Sequence, residues 1–327
     1  MSLRATTTSR AVAGVIAAVI AAAGAATLLA GCGQPAAPSD SAGKPSVVTT
    51  TDVYGSVAAA VAGDRATVHA IITDPAADPH EYETTASDAL AVSKAAVLVA
   101  NGAGYDDFAG KLMNTAGGRP ALIDVATLSG LPGSSAGPPS SGAALPPAAP
   151  EFNEHVWYHL PTVAKLADRI AAELGKADPG DAATFTANAA RFKTGLDGLN
   201  AKITAIAGAH RGERVAVTEP VPGYLIAAAG LVDATPPALP HAVEEGSDPP
   251  ASVMGQTLQL FDGPGKVKAL LVNAQTGGAT TDQLTRAANT AGVPVVAVTE
   301  TFPAGTTDYV TWMGEEIDRL AAALDER

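Results

Sequence analysis

The chain has 327 residues, of which 33 are acidic and 20 basic, so its formal net charge at pH 7 is −13. This length predicts about two domains of ~150 residues each, and the 47% apolar content excludes a wholly disordered chain. The acidic balance argues against nucleic acid as a partner, because phosphate binding needs a basic surface. The single cysteine excludes an intramolecular disulfide and any cysteine-rich zinc or iron–sulfur site.

The first 31 residues have the pattern of a secretory signal peptide. Arg4 and Arg10 precede an apolar stretch over residues 11–29, and the sequence Leu29-Ala-Gly-Cys32 follows. A charged start, an apolar middle and a small-residue exit are typical of such signals. The alternative is a membrane-spanning helix, since about 19 apolar residues just suffice to cross a bilayer. The Leu-Ala-Gly-Cys sequence resembles a bacterial lipobox, so we favour cleavage before Cys32 and acylation of its thiol.

The segment that follows has the composition of a flexible tether. Residues 32–45 are rich in glycine, proline, serine and alanine and lack apolar periodicity. We therefore expect an exported domain that is lipid-anchored to the outer face of the cytoplasmic membrane.

Beyond the tether, short strand-like and helix-like segments alternate. The strand-like segments are rich in β-branched residues and are bounded by glycine, proline or asparagine. We predict strands at residues 46–51, 66–72, 95–101, 121–125, 214–218, 269–273 and 293–299, and helices at 87–93, 107–115, 251–261 and 281–291. This alternation predicts an α/β fold with parallel sheets flanked by helices, whose ligand loops lie at the carboxyl ends of the strands.

Two longer helical segments interrupt this rhythm, at residues 161–177 and 179–207. In the second, apolar residues recur in steps of four and three from Phe185 to Ile206, which keeps one face buried throughout. About 27 residues give a helix ~40 Å long. A coiled-coil seam would show similar spacing. Because the helix lies between two α/β halves of similar size, we interpret it as a rigid connection between two lobes.

The predicted organisation of the exported chain follows from these segments. We expect an N-terminal lobe at 46–178, a linker helix at 179–207 and a C-terminal lobe at 208–327. Within the first lobe, residues 129–150 consist largely of proline, glycine, serine and alanine. We expect a mobile surface insertion there.

Six histidines are candidates for chemistry. His80 lies in an Asp-Pro-His-Glu sequence after the strand that ends near Ile72, where ligands sit in parallel sheets, although an exposed loop histidine is the alternative. His155 and His159 are four residues apart, but Pro161 marks the helix start after them, so we expect His159 near the helix cap. We expect His69 to be a solvent-facing or structural residue of a strand, His210 to be a surface residue on a polar loop, and His241, after Pro240, to be a surface residue. Hydrolase, nucleotide-binding-loop and dinucleotide-binding signatures are absent from the sequence.

Several short motifs follow one another along residues 46–327. They are Asp52-Val-Tyr-Gly-Ser-Val-Ala-Ala-Ala-Val-Ala-Gly-Asp64, Pro79-His80-Glu-Tyr-Glu83, Ser87-Asp-Ala89, Val97-Leu-Val-Ala-Asn-Gly102, His155-Val-Trp157, Asp178-Pro179 with Asn188, and Val217-Thr-Glu219 through Gly223-Tyr224. In this combination the chain resembles the metal-binding class of solute-binding lipoproteins that serve zinc and manganese ABC importers.

That resemblance implies a metal site between the lobes. Four loop side chains, two from each lobe, enclose one divalent cation in this family. The two histidines are matched by His80 and His155. The third ligand is histidine in typical zinc receptors and glutamate in many manganese receptors, and Glu219 matches it. Glu300 matches the fourth, an acidic residue that is usually aspartate. The resemblance also implies delivery to an ABC permease by a monomer that is not an enzyme and holds no organic cofactor.

The implied ligand types suit a divalent transition metal. Two imidazoles and two carboxylates neutralise the charge of M²⁺, and carboxylates that bind through both oxygens raise the coordination number, which Mn²⁺ tolerates better than tetrahedral Zn²⁺. The ligand set therefore modestly favours Mn²⁺ as the bound metal. Such sites nevertheless generally bind Zn²⁺ more tightly, and the same ligands are also compatible with Fe²⁺. Imidazole ligands usually need a hydrogen-bond partner, and the candidates for this role are Glu81, Glu83, Glu154 and Asn273, while Tyr224 is expected to pack beneath the third ligand.

Two other functions are compatible with parts of the sequence. A metallohydrolase also uses histidine and carboxylate ligands, but it keeps one position open for water. A surface adhesin or structural lipoprotein would not need His80, His155, Glu219 and Glu300 together.

Overall fold

Two four-stranded parallel sheets form the framework of the protein, as seen in a computed structural model that describes residues 43–134 and 152–326. The first sheet has the order β2-β1-β3-β4 and the second the order β6-β5-β7-β8. The strands are β1 (Ser46–Thr51), β2 (Thr67–Ile72), β3 (Val97–Ala100), β4 (Ala121–Asp124), β5 (Arg214–Val217), β6 (Val232–Asp233), β7 (Leu270–Asn273) and β8 (Val295–Val298). The predicted α/β class with parallel sheets is confirmed. The sequence analysis missed β6, because a strand of two residues carries no periodic pattern.

Helices cover both sheets and fill most of the chain between the strands. They are α1 (Asp52–Ala62), α2 (Ala86–Lys94), α3 (Phe108–Thr115), α4 (Val125–Ser129), α5 (Leu160–Ala177), α6 (Ala182–His210), α7 (Gly223–Ala228), α8 (Ala238–Glu244), α9 (Ala251–Gln259), α10 (Ala279–Thr290) and α11 (Tyr309–Asp325). A 3₁₀ turn at Val156–Tyr158 precedes α5. Within the described ranges, none of the helices is long and apolar enough to cross a membrane.

The first and last residues of the long helix α6 differ from the predicted bounds, residues 179–207. It begins at Ala182, three residues after Pro179, and continues to His210, so its 29 residues span about 44 Å. Its predicted apolar face is buried as expected: Phe185, Ala189, Phe192, Leu196, Leu199, Ile203 and Ile206. The expectation that His210 lies on a surface loop is wrong. His210 ends the helix, and its ring nitrogens lie 3.1 Å from Glu213 and 3.2 Å from Asp325.

A glycine within α6 has a packing role. A Cβ atom at Gly195 would lie 3.0 Å from a methyl carbon of Val310 in α11, so the missing side chain lets the two helices approach closely. Close packing offsets the lower helix propensity of glycine.

One hydrophobic core connects the two sheets. Its buried members include Val47 and Val97 from the first sheet and Val215 and Leu271 from the second, together with the apolar face of α6. The described residues all fall within one compact unit. Wide separation of the two sheets would expose this shared core, so the packing favours small relative movements.

Part of the predicted organisation lies outside the described residues. This holds for the signal peptide, for Cys32, for the tether as far as residue 42 and for residues 135–151. Of the predicted insertion at 129–150, Ser129 is buried as the last residue of α4, and Gly130 follows with a left-handed backbone that ends this helix.

A buried carboxyl group on α11 makes the stability of the fold depend on pH. Glu316 is fully buried, with Oε1 2.8 Å from Arg319, and burial raises its pKa to about 7. Because the folded pKa exceeds the ordinary value of 4.5, the stabilisation from the neutral form is lost as the pH rises through about 7. Glu316→Gln should therefore become more stable relative to the wild type between pH 4.5 and 7.5, by up to about 3 kcal/mol. Urea unfolding at several pH values measures this difference. Glu315→Gln, an exposed change on the same helix, is the control, and parallel curves for Glu316→Gln and the wild type would contradict the prediction.

Candidate metal centre

Loops at the carboxyl ends of three strands bring three of the four predicted ligands together, and His155 lies beside them. His80 follows β2, Glu219 follows β5 and Glu300 follows β8, and these three residues line one cavity of about 50 Å³. His155 precedes the 3₁₀ turn, and its Nε2 lies 3.9 Å from Oε2 of Glu300. Because the carboxyl ends of parallel strands face one edge of their sheet, residues distant in sequence meet there.

The loop around His155 sets both the position and the tautomer of its imidazole. Oδ1 of Asn153 accepts a hydrogen bond from the His155 backbone N–H at 3.0 Å and lies 2.8 Å from Nδ1. The Asn153 amide group donates to the carbonyl oxygen of Pro220, which identifies Oδ1 as the acceptor and Nδ1 as protonated. Burial lowers the pKa of His155 to about 3, so the ring is neutral. Its Nε2 therefore presents a lone pair, as a metal ligand requires.

His80 is held between two carboxylates. Its backbone N–H donates to Oδ1 of Asp78 at 2.9 Å, a local turn that fixes the residue, and its Nδ1 lies 3.1 Å from the same oxygen. Its Nε2 lies 2.6 Å from Oε1 of Glu154. The hydrogen bond to Glu154 is the main cause that raises the pKa of His80 to about 9. Coordination through Nε2 would release this proton and the contact with Glu154, while Asp78 would keep the ring in place.

One asparagine joins the two predicted carboxylate ligands. The amide nitrogen of Asn273, at the end of β7, donates to Glu219 Oε2 at 2.7 Å and to Glu300 Oε1 at 2.6 Å. Thr276 also donates to Glu219, and the backbone N–H of Glu300 donates to Gln275 at 2.7 Å. These bonds orient both carboxylates. Asn273 was predicted as a hydrogen-bond partner of an imidazole ligand, and it instead supports the two carboxylates.

The carboxylates share a buried site that favours a cation. Burial, followed by the charge of Glu219, raises the pKa of Glu300 to about 7. Burial also raises the pKa of Glu219. Like charges in a site of low polarity disfavour full ionisation, and a bound cation relieves that cost.

The sequence analysis missed a further acidic residue in this site. Glu244, the last residue of α8, places Oε1 3.6 Å from Nε2 of His155. Glu154, His155 and Glu244 each offer one ligand atom, and these atoms all lie within 4.8 Å of one another. Burial, then the charges of Glu154 and Glu300, raise the pKa of Glu244 to about 8. Nothing in the local sequence marks Glu244, because an acidic pair before a glycine is typical of a solvated helix end.

The remaining candidates lie at the border of the site or away from it. His159 is the capping residue of α5, as expected; its Nδ1 lies 2.7 Å from Oγ1 of Thr162, and its ring packs against Tyr224. The Tyr224 hydroxyl donates to the Asn153 carbonyl at 2.6 Å, which supports the loop of His155. The following predicted residues are exposed: His69, Glu81, Glu83 and His241.

A wider cleft of about 700 Å³ adjoins the inner cavity. Asp78, His80 and Glu244 line both spaces, whereas Glu154 and His241 line the wider cleft. The inner site is therefore connected to a large opening with several acidic side chains, which raises the local concentration of cations.

Comparison with known proteins agrees with this architecture. A sequence model of the ZnuA family, described as the periplasmic component A of a zinc-uptake complex, matches residues 47–323. The structure of the solute-binding protein FpvC from Pseudomonas aeruginosa in complex with Mn²⁺ shares the fold, with a TM-score of 0.66 and 24% identity over 86% of this chain and 98% of that protein. The periplasmic zinc-binding protein TroA from Treponema pallidum has a TM-score of 0.69 and 21% identity over 87% of this chain and 100% of that protein.

Among sequence relatives, the manganese-binding lipoprotein MntA of Halalkalibacterium halodurans is 29% identical over 175 residues, which make up 53% of this chain and 54% of MntA. The matched region thus spans about half the length of this relative. Because the ZnuA-family match extends over residues 47–323 and the fold agrees with it, the protein belongs to the ZnuA family of metal-binding solute-binding proteins.

Proposed function

We propose that this protein captures a divalent transition metal ion, Mn²⁺ or Zn²⁺, between its two sheets and delivers it to an ABC permease for import. The observation that carries the proposal is that His80, Glu219 and Glu300, from loops of both sheets, line one small cavity, and that Nε2 of His155 lies 3.9 Å from Glu300. In this proposal the ion is cargo that leaves unchanged, so no residue is assigned a catalytic role.

The donor set of the cavity fits such a cargo. His155 presents a neutral nitrogen, and Glu219 and Glu300 present oxygens already oriented by Asn273. Imidazole and carboxylate donors together suit Mn²⁺, Fe²⁺ and Zn²⁺. The relatives are named for manganese and iron, and the family for zinc. The carboxylate-rich donor set favours Mn²⁺ as the physiological cargo.

The proposal includes location and partners. Acylated Cys32 would anchor the protein to the outer face of the cytoplasmic membrane, and the monomer would present its loaded cleft to the permease. The curated relative MntA is named a lipoprotein, which supports this placement.

Calorimetry on the metal-free exported chain tests the central claim. We expect one tight site per chain for Mn²⁺ and for Zn²⁺, with proton release on binding because His80 must lose its Nε2 proton. The absence of binding for Mn²⁺, Zn²⁺ and Fe²⁺ would overturn the proposal. A chain that hydrolyses esters or phosphate esters when loaded with metal would point instead to the metallohydrolase alternative.

The amide of Asn273 should be important for affinity although the amide itself is not a predicted ligand. Asn273→Ala removes the donor that orients Glu219 and Glu300, and loss of such a supporting hydrogen bond typically costs 10- to about 100-fold in metal affinity. We expect this loss for both Mn²⁺ and Zn²⁺ in calorimetry, with an unchanged far-UV circular dichroism spectrum. Asn289→Ala, at an exposed position of α10, is the control. Equal affinities for Asn273→Ala and this control would contradict the supporting role.

A further inference from the structure

Glu244 stands at the boundary between the two cavities. Its side chain lines both the wide cleft of about 700 Å³ and the inner cavity of about 50 Å³. An ion that moves from the cleft to the predicted ligands would pass this carboxylate. Glu244 comes from α8, an element that contributes none of the four predicted ligands.

Nε2 of His155 and Oε1 of Glu244 face each other, so this pair requires either a proton on Glu244 or a cation between the two atoms. Nε2 of His155 carries a lone pair, because Asn153 accepts the proton of Nδ1. Oε1 of Glu244 lies 3.6 Å away and is buried, with no hydrogen-bond partner among the described residues. Two facing acceptors are unfavourable in a buried site unless a proton or a cation lies between them.

A tyrosine beside the same site gives a second, independent observation. Tyr105 is 1% exposed, and its hydroxyl has no hydrogen-bond partner in the described part of the chain. Its ring centre lies 5.1 Å from that of His80 and 6.2 Å from that of His155. This buried hydroxyl lies beside two imidazoles and close enough to interact with the Glu300 carboxyl, so it can donate to that predicted ligand when a bound ion holds the carboxylate in place.

We propose that Glu244 is a fifth protein ligand of the captured ion and that it favours Mn²⁺ over Zn²⁺; this inference rests on the proposed function. Two atoms that each lie about 2.1 Å from one ion are roughly 3.0 to 3.4 Å apart, so the 3.6 Å between Glu244 and His155 requires only a small movement. A third carboxylate raises the number of oxygen donors. Mn²⁺ accommodates oxygen donors beyond four ligands, whereas Zn²⁺ prefers four in a tetrahedral arrangement.

Three variants of the full exported chain separate ligation from charge. Glu244→Gln removes the anionic ligand, Glu244→Asp keeps the charge but shortens the side chain, and Glu245→Gln changes the exposed neighbouring carboxylate as a matched control. Each is titrated with Mn²⁺ and with Zn²⁺ in calorimetry. Water-proton relaxation of the Mn²⁺-loaded protein reports how many waters the ion holds, and thermal unfolding in chelator shows whether each variant folds.

The expected result is a loss of Mn²⁺ affinity of about 10- to 100-fold in both Glu244 variants, a smaller loss for Zn²⁺, and an additional water on Mn²⁺. Glu245→Gln should behave as the wild type. Three results would overturn the inference and leave the proposed function intact. They are an unchanged Mn²⁺ affinity in Glu244→Gln, an unchanged Mn²⁺ affinity in Glu244→Asp, and equal losses of affinity for Mn²⁺ and Zn²⁺. Failure of the wild type to bind any of these ions would instead overturn the proposed function itself. If Glu244→Gln does not fold, Glu244→Asp decides the question.

Discussion

Replacing His155 with alanine is expected to lower the affinity for Mn²⁺ and Zn²⁺ by more than about 100-fold, beyond the usual effect of losing an outer hydrogen-bond partner. His155 is 1% exposed, and its neutral Nε2 points towards Glu244 and Glu300 at 3.6 and 3.9 Å. Alanine offers no donor atom in place of this buried nitrogen, so the loss of the ligand is not compensated by the side chain. Calorimetry with each metal measures the effect.

The neighbouring histidine provides the control for this prediction. His159 shares a short segment with His155, but its Nδ1 is directed to Thr162 and its ring packs on Tyr224. His159→Ala should leave metal affinity unchanged. A loss as large as that of His155→Ala would show that His159 is a ligand and that its capping role has been misassigned. His155→Gln, which keeps most of the side-chain volume, checks that the effect does not come from a cavity in the core.

Replacing Trp312 with alanine is expected to destabilise the fold by about 3 to 5 kcal/mol. The side chain is fully buried in α11 and packs against the rings of Tyr158, Phe302 and Tyr309. Its indole N–H donates to Oγ1 of Thr299 at 2.9 Å, directly before Glu300. The substitution therefore removes a large apolar volume and a buried hydrogen bond together.

Urea unfolding in chelator measures this loss without a contribution from bound metal. The fluorescence of Trp157, the other of the two tryptophans in the chain, remains available as a probe of unfolding. Trp312→Phe retains the ring packing and loses the hydrogen bond, so it should be less destabilised than Trp312→Ala. A loss below about 1 kcal/mol in Trp312→Ala, the size of an average substitution, would show that the core around α11 repacks freely.

The strands and the long helix were largely predictable because their signals are local. The β-branched run at 46–51 forms β1 with the predicted bounds, and the apolar steps from Phe185 to Ile206 form the buried face of α6. The errors lie where a tertiary contact decides the outcome. Helix α6 starts at Ala182 rather than near Pro179, and it continues to His210, whose ring lies 3.1 Å from Glu213 and 3.2 Å from Asp325.

In the candidate site, too, residues with a local sequence motif were predictable and a residue placed only by tertiary contacts was not. The resemblance indicated His80, His155, Glu219 and Glu300 as a set of ligands; three of these side chains line one cavity, and His155 lies 3.9 Å from Glu300. Glu244 carried no such motif, because its position depends on how α8 packs beside the loops of both sheets.

The sequence by itself determined the α/β class, the order of strands and helices, and the residue types available to bind a cation, since periodicity and motifs are properties of short segments. Only the tertiary structure decided which groups meet. The contact with Asn153 leaves the lone pair of His155 on Nε2, and Asn273 donates hydrogen bonds to both Glu219 and Glu300. The fold also places Glu244 3.6 Å from His155. These contacts join residues up to about a hundred positions apart, and their geometry follows from the packing of two sheets on one shared core, which no local pattern encodes.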